Sequence, residues 1–115
     1  MAPRMTVQTQ LVLQALLRDP ARELYGLELS ELTGLLPGTA YPILLRLEQE
    51  GWVTGRWEDI DPRVEKRPAR RYYCLTASGA TQAGAALAAA HRPSRAALRR
   101  LAGEPGPLAR KRGYP

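Results

Sequence analysis

Polar side chains recur on one side of a predicted helix over residues 39–50. That side comprises Thr39, Pro42, Arg46 and Gln49, with Tyr41 and Leu45 at its margins. A guanidinium can donate two hydrogen bonds to a guanine, and a primary amide can pair in a similar way with an adenine. Side chains of these types one turn apart favour a helix that reads base edges in the major groove of DNA. An ordinary amphipathic helix with a solvated polar side is the alternative.

A run of basic side chains lies between residues 63 and 71. It contains Arg63, Lys66, Arg67, Arg70 and Arg71, against Glu65 as its one acidic residue. Guanidinium groups match the geometry of phosphates, and narrow minor grooves attract them because the negative potential is strongest there. We therefore expect a loop that follows the DNA backbone or enters the minor groove. The alternative is a charge run that is merely solvated.

Three helices are predicted ahead of this basic run. Apolar spacing and end signals place them over about residues 7–18, 24–32 and 39–50. The third has one buried stripe, formed by Ala40, Ile43, Leu44 and Leu47 at i, i+3, i+4 and i+7. With Thr39 as its N-cap, Pro42 falls in the first turn, where a missing N–H removes no intrahelical hydrogen bond.

The pattern changes from helical to strand-like after residue 51. Residues 52–57 and 71–75 are short, rich in aromatic and branched side chains, and flank the basic run, which predicts a β-hairpin around a long loop. A further helix is expected over 77–90, and a last helical segment reaches about residue 102. The chain from residue 103 onward, with three prolines and a basic end, is expected to be disordered.

This order of elements predicts a mainly helical protein with an α+β wing, a winged helix-turn-helix. In that arrangement the third helix enters the major groove of DNA, and the hairpin forms the wing beside it. The expected organisation is a DNA-binding domain over residues 6–75, a C-terminal helical dimerisation segment over 76–102 and a basic tail over 103–115.

The first predicted helix is apolar on more than one side. A small single domain has one core, so the additional side needs another surface to cover it. A second copy of the chain could supply that surface, which predicts a homodimer. The expected interface combines this helix with the C-terminal segment, through Val7, Leu11, Leu16, Leu87, Leu98 and Leu101.

Composition argues against several other classes of function. The 115 residues carry a net charge of +6, with the basic excess in the second half of the chain, which favours a polyanionic partner. The sequence shows no nucleophile–base set, Gly-rich phosphate loop or metal-ligand cluster, so we expect neither an enzyme nor a cofactor or metal.

The single cysteine and the lack of a long apolar stretch bear on the compartment. One cysteine allows no internal disulfide, and no stretch is long enough for a membrane helix, so we expect a cytoplasmic protein. Cys74 itself is either a tolerated small side chain or, with a pKa lowered by nearby arginines, a sensor of oxidants.

Three blocks of this sequence resemble the PadR-type transcriptional regulators. They are Tyr25-Gly26-Leu27-Glu28-Leu29, the block 38–51 with Tyr41-Pro42, Arg46, Leu47-Glu48 and Gly51, and the block 70–79 that begins Arg70-Arg71-Tyr72-Tyr73. The resemblance runs over about residues 7–85 and implies a winged-helix dimer that represses genes by binding operator DNA, with terminal helices forming the dimer. Some members release DNA on binding phenolic or drug-like compounds, so a small-molecule inducer of unknown identity is implied as well. Members that bind flat drugs have aromatic residues in the C-terminal helix, whereas residues 77–102 here contain none.

The sequence as a whole predicts a sequence-specific DNA-binding regulator, a repressor that acts as a homodimer on a pseudo-palindromic operator. Its expected partners are double-stranded DNA and a second copy of the chain. The alternative from another class is a winged-helix module that docks on a protein without binding nucleic acid, which suits the four basic and six acidic residues among residues 1–50. A MarR-like regulator is a further alternative that differs only in family.

Overall fold

The computed structural model describes residues 3–91. In chain order the elements are α1 (Val7–Leu17), β1 (Leu24–Tyr25), α2 (Gly26–Thr33), α3 (Pro37–Gln49), β2 (Val53–Trp57), α4 (Pro62–Glu65), β3 (Arg71–Leu75) and α5 (Ala77–Ala90). Three helices, a wing of β2 and β3, and α5 make the mainly helical winged helix-turn-helix that the sequence predicts. The helical segment expected over 92–102 and the tail over 103–115 lie outside the described residues, so the division into domains stays a prediction. Within the described part, no helix has the length and apolarity to span a membrane.

The core lies between the first three helices and the sheet. Its centre consists of fully buried aliphatic side chains: Val12, Leu13, Leu16, Leu29, Leu44 and Leu47. Trp52, Val53, Tyr73 and Leu75 close the core from the side of the sheet. Each fully buried leucine contributes about 2 kcal/mol. Two of these leucines belong to α3, so the core fixes which side of that helix faces outward.

The sheet has three antiparallel strands in the order β1–β3–β2. Leu24 pairs with Tyr73, and Tyr25 pairs with Tyr72. The sequence analysis placed Leu24 and Tyr25 in a helix, which is wrong, because their backbone groups pair with a strand that is distant in the chain. α2 therefore begins only at Gly26.

α3 begins earlier than its apolar pattern indicates. Leu36 is its N-cap, and Pro37 takes the first helical position, where the fixed φ of proline suits the turn. Thr39 consequently lies inside the first turn, and its predicted role as N-cap is wrong. Pro42 lies in the helix interior and not in the first turn, so its missing N–H leaves the carbonyl of Gly38 without the usual helical donor.

α1 is covered by its own chain on both apolar sides. It packs against α2, α3, α5 and β3, and Leu16 is 1% exposed in the single chain. The predicted place of Leu16 in a dimer interface is therefore wrong, because α5 and the sheet supply the surface that the prediction assigned to a partner. Val7 is 69% exposed, and Leu11 and Leu87 are half-buried, so their part in a dimer stays a prediction. Leu98 and Leu101 lie outside the described residues.

Candidate nucleic-acid interface

The side of α3 opposite the core is exposed, and it carries the predicted base-reading residues. Ala40, Leu44 and Leu47 are buried on the inner side. All five residues predicted on this helix are exposed: Thr39, Tyr41, Pro42, Arg46 and Gln49. The major groove of B-DNA admits one α-helix, and side chains that project from such a helix can reach base edges. The structure thus brings this group of predicted site residues together on one helix side.

Tyr41 is fixed by a close contact with the start of α2. A Cβ atom added to Gly26 would lie 2.1 Å from the hydroxyl oxygen of Tyr41 and 2.6 Å from its Cζ. Glycine alone leaves the space that the ring occupies against the first turn of α2. The side chain is still 45% exposed, so the ring is held in place at the edge of the outward side of α3.

The loop between β2 and β3 is closed by an internal ion pair, which the sequence analysis did not foresee. Arg67 donates two hydrogen bonds to Glu58, from Nη1 to Oε1 at 2.6 Å and from Nη2 to Oε2 at 3.0 Å. The backbone N–H of Arg70 donates to the same carboxylate at 3.2 Å. The hydrogen bond from Arg67, more than any other contact, lowers the pKa of Glu58 to about 2. The carboxylate is therefore ionised at neutral pH and holds the two ends of the loop together.

The same loop contains the short helix α4, where the sequence predicts only a polar connection. Asp61 caps it by accepting a hydrogen bond from the backbone N–H of Arg63 at 2.9 Å. Lys66 ends it with a positive φ of 54°. Arg63 and Lys66 are both exposed, so their charges are accessible to a polyanion.

Arg71 joins the wing to α3. Its Nη2 donates to Oε2 of Glu48 at 2.9 Å, and its guanidinium carbon lies 5.3 Å from the ring centre of Trp57 and 5.8 Å from that of Tyr73. Gly55 leaves the necessary room, since a Cβ atom there would lie 2.8 Å from Nη2 of Arg71. The ion pair neutralises an acidic side chain of α3 and fixes that helix against the wing.

The five basic residues predicted to contact DNA from the wing thus form two groups. Arg67 and Arg71 bind carboxylates of their own chain, and the Arg70 guanidinium carbon lies 4.3 Å from the ring centre of Tyr25. These three residues are engaged within the chain and are not merely solvated, and their contacts with DNA stay a prediction. Arg63 and Lys66 form the second group, and both of their side chains are exposed.

A groove of about 700 Å³ lies between the beginning of α2, Tyr41 of α3 and the loop end of the wing strands. Tyr25, Tyr41 and Trp57 line it with their rings, together with Arg70 and Arg71. Trp57 is 63% exposed, so an aromatic face is open at this point. Because Tyr41 belongs to both surfaces, the groove continues the outward side of α3 towards the wing.

Cys74 lies on β3, opposite Thr54 of β2. Its thiol donates to the carbonyl of Pro20 at 3.2 Å. Burial raises the pKa of Cys74, and the carboxylates of Glu23 and Asp19 raise it further. A sensor of oxidants needs a lowered thiol pKa, so this direction favours the alternative of a tolerated small side chain. Residues 3–91 also contain no group of three or more His, Cys, Asp or Glu side chains that could hold a metal ion.

Comparison with known families identifies this architecture. The sequence profile described as the Transcriptional regulator PadR-like family matches residues 12–85. The chain belongs to this family. The matched range begins within α1 and ends within α5, so α3 and the whole wing of this PadR-like regulator lie inside it.

Solved structures of related regulators share the fold. A PadR-like transcriptional regulator from Bacillus cereus superimposes with a TM-score of 0.56 at 24% identity, over 86% of this chain and 94% of that one. Bacillus subtilis PadR in complex with operator DNA gives a TM-score of 0.60 at 20% identity, over 94% of this chain and 59% of that one. BpsR of Bordetella bronchiseptica, whose DNA binding is regulated by 6-hydroxynicotinic acid, gives 0.59 at 18% identity, over 95% and 69%. The comparison with curated protein sequences gave no match.

We expect variants in the two groups of wing cations of this PadR-like chain to differ in how their affinity for DNA depends on salt. Arg63→Ala and Lys66→Ala are each expected to flatten the plot of log affinity against log salt concentration by up to about one unit, because each removes a phosphate contact and the counterions it releases. The double variant Glu58→Ala/Arg67→Ala is expected to leave that slope unchanged, since it removes an ion pair whose net charge is zero. Fluorescence anisotropy with a random-sequence duplex, measured over a series of NaCl concentrations, gives the slopes. A flattened slope for this double variant would mean that the Arg67 guanidinium leaves Glu58 and contacts the DNA.

Proposed function

We propose that this PadR-like chain represses transcription by binding a pseudo-palindromic operator as a homodimer in the cytoplasm. The observation that carries the proposal is the outward side of α3, which presents Arg46 and Gln49 away from the core with the wing beside it. Bacillus subtilis PadR, which has the same fold, has been solved in complex with operator DNA. In the complex proposed for this chain, α3 lies in the major groove, and the wing lies on the adjacent backbone.

Affinity and sequence choice come from different residues in this proposal. Arg63 and Lys66 contact phosphates, which position the protein and supply a salt-dependent share of the affinity. Arg46 and Gln49 contact base edges and supply the choice of sequence. Two copies related by a twofold axis then read two half-sites about one helical turn apart, ~34 Å along the duplex.

The dimer is proposed to form through the start of α1 and the segment that follows α5. Val7 supports this, because it is 69% exposed although α1 is otherwise packed into the core. Leu11 and Leu87 are half-buried and can gain further burial against a partner. Leu98 and Leu101, which lie outside the described residues, belong to the segment that is proposed to take part.

Val7→Glu is expected to yield a monomer with an unchanged fold. A charge at this exposed position costs the isolated chain little, whereas it would be buried without a partner in the dimer. Sedimentation equilibrium at micromolar concentration measures the mass, and circular dichroism measures the fold. Val64→Glu on the wing is the matched control, since Val64 is 72% exposed and that variant should remain a dimer. A Val7→Glu protein with twice the chain mass would remove α1 from the interface.

A small molecule is proposed to release the operator. BpsR, whose fold this chain shares, has its DNA binding regulated by 6-hydroxynicotinic acid. The absence of aromatic residues over 77–102 argues against a stacking site for flat drugs in that segment.

The proposal is tested by selecting bound duplexes from a random-sequence library. The selected sequences should converge on an inverted repeat, and the protein should bind that repeat about 10³-fold or more tightly than a scrambled duplex at physiological salt. The scrambled duplex has the same length and composition, so it controls for phosphate contacts. Equal affinity for both duplexes would contradict sequence-specific binding.

A module that docks on a protein is the second candidate function. The specific observation in its favour is that apolar side chains are exposed at and on α3: Leu36, its N-cap, is 75% exposed, and Leu45 is 55% exposed. Binding to DNA weakens steeply as salt rises, whereas apolar docking on a protein does not. No retention of DNA at low salt would favour the docking module.

A further inference from the structure

The outward side of α3 is more apolar than that of a helix that binds DNA through charge alone. At 100° per residue, Leu45 lies about 160° around the helix axis from the buried Leu47. It therefore projects almost directly away from the core, and not from the margin where the sequence analysis placed it. Leu45 is 55% exposed, and Gln49 lies one turn further along the same side.

The major groove offers one apolar group on its base edges, the C5-methyl group of thymine. We propose that Leu45 reads a thymine of each operator half-site by packing against that methyl group. This inference rests on the proposed function and names one chemical feature of the operator that the protein recognises. Gln49 on the same helix side can pair with an adenine, so a neighbouring A·T pair fits beside the thymine.

The two side chains next to Leu45 on the helix surface are each held by another element, and they do not cover Leu45. Tyr41, one turn earlier, is kept against α2 by its contact with Gly26. Glu48, one turn later, is bound to Arg71 of the wing at 2.9 Å. The ion pair neutralises the Glu48 carboxylate, which removes a charge that would repel the DNA backbone. Leu45 is thus left as an apolar projection between two restrained side chains.

The experiment replaces thymine by uracil, which lacks only the methyl group. The operator found by selection is prepared with thymidine and again with deoxyuridine in every position. The wild-type protein should bind the uracil duplex about fourfold less tightly for each half-site, the effect of losing one buried methyl contact. Leu45→Ala should bind both duplexes equally, because its side chain no longer reaches the methyl group. Leu45 is largely exposed, so this variant should keep the wild-type melting temperature.

Leu32→Ala is the matched control. Leu32 is an exposed leucine of α2, 39% exposed, and its variant should keep the wild-type preference for thymine. A preference that persists in Leu45→Ala would come from the shape of the duplex and would overturn the proposal. A selected operator without an invariant thymine in each half-site would overturn it as well. If no operator can be selected, the proposed function itself fails, which is a distinguishable outcome.

Discussion

Gly79→Ala is expected to destabilise this protein by about 3 kcal/mol or to prevent its folding. A Cβ atom at Gly79 would lie 1.9 Å from the carbonyl oxygen of Trp52, 2.6 Å from its carbonyl carbon and 2.7 Å from its Cα. These are backbone atoms of the residue that leads into β2, and they cannot rotate away as a side chain can. The contact is also tied by hydrogen bonds, because the Trp52 carbonyl accepts from the Thr76 N–H at 2.9 Å, and Thr76 Oγ1 accepts from the Gly79 N–H at 2.8 Å.

Gly84→Ala is the matched control for Gly79→Ala in the same helix. Gly84 is exposed, and a Cβ atom there would meet nothing within 4 Å. Alanine is a better helix former than glycine, so Gly84→Ala should stabilise the protein by about 0.5–1 kcal/mol. Urea denaturation followed by circular dichroism measures both variants. Equal stability of Gly79→Ala and the wild type would contradict the close docking of α5 on Trp52.

Arg46→Ala is expected to cost ~1–3 kcal/mol of binding free energy on the selected operator. Arg46 is exposed on α3, and a guanidinium there can donate two hydrogen bonds to one guanine. On random DNA the same variant should lose only the binding free energy of one phosphate contact, because a guanine faces Arg46 there only by chance. The ratio of operator affinity to random-DNA affinity should therefore fall.

Arg63→Ala is the control for Arg46→Ala, since it removes the same charge from the wing. It should weaken operator and random DNA by equal factors, which leaves their ratio unchanged. Fluorescence anisotropy titrations of the wild type and both variants on the two duplexes, at one fixed salt concentration, give the six affinities. Equal losses on both duplexes for Arg46→Ala would make Arg46 a backbone contact, and base recognition would then lie with Gln49 and Leu45.

The order of elements and the family were accessible from the sequence because they depend on local patterns. The stripe of Ala40, Ile43, Leu44 and Leu47 has the period of a helix with one buried side, and all but the half-buried Ile43 are buried. The strand predicted over residues 71–75 has the same bounds in the structure. Side chains on the opposite side of a helix with one buried stripe must face outward, so the exposure of Arg46 and Gln49 also follows from the pattern.

Only the tertiary structure decided which charges are engaged within the chain. Arg71 and Glu48 are 23 residues apart, and Arg67 reaches back to Glu58 across the loop. The sequence gives the number of cations in the basic run. Which of them is paired with a carboxylate depends on how distant elements approach each other in the fold. The division of the wing cations into paired and accessible groups therefore required the folded chain.

Burial likewise depended on contacts between distant segments, which the sequence does not show. Local period identified α1 as apolar on two sides, but whether its own chain or a partner covers Leu16 depends on where α5 and the sheet come to lie. The pairing of β1 and the need for glycine beside Tyr41 and Trp52 arise in the same way, from backbones that meet only after folding. Periodicity and residue type are properties of short segments, so they determined the helices, the wing and the outward side of α3. Contacts between segments form only when the core assembles. They decided which side chains of the wing and of the outward side of α3 remain accessible to DNA.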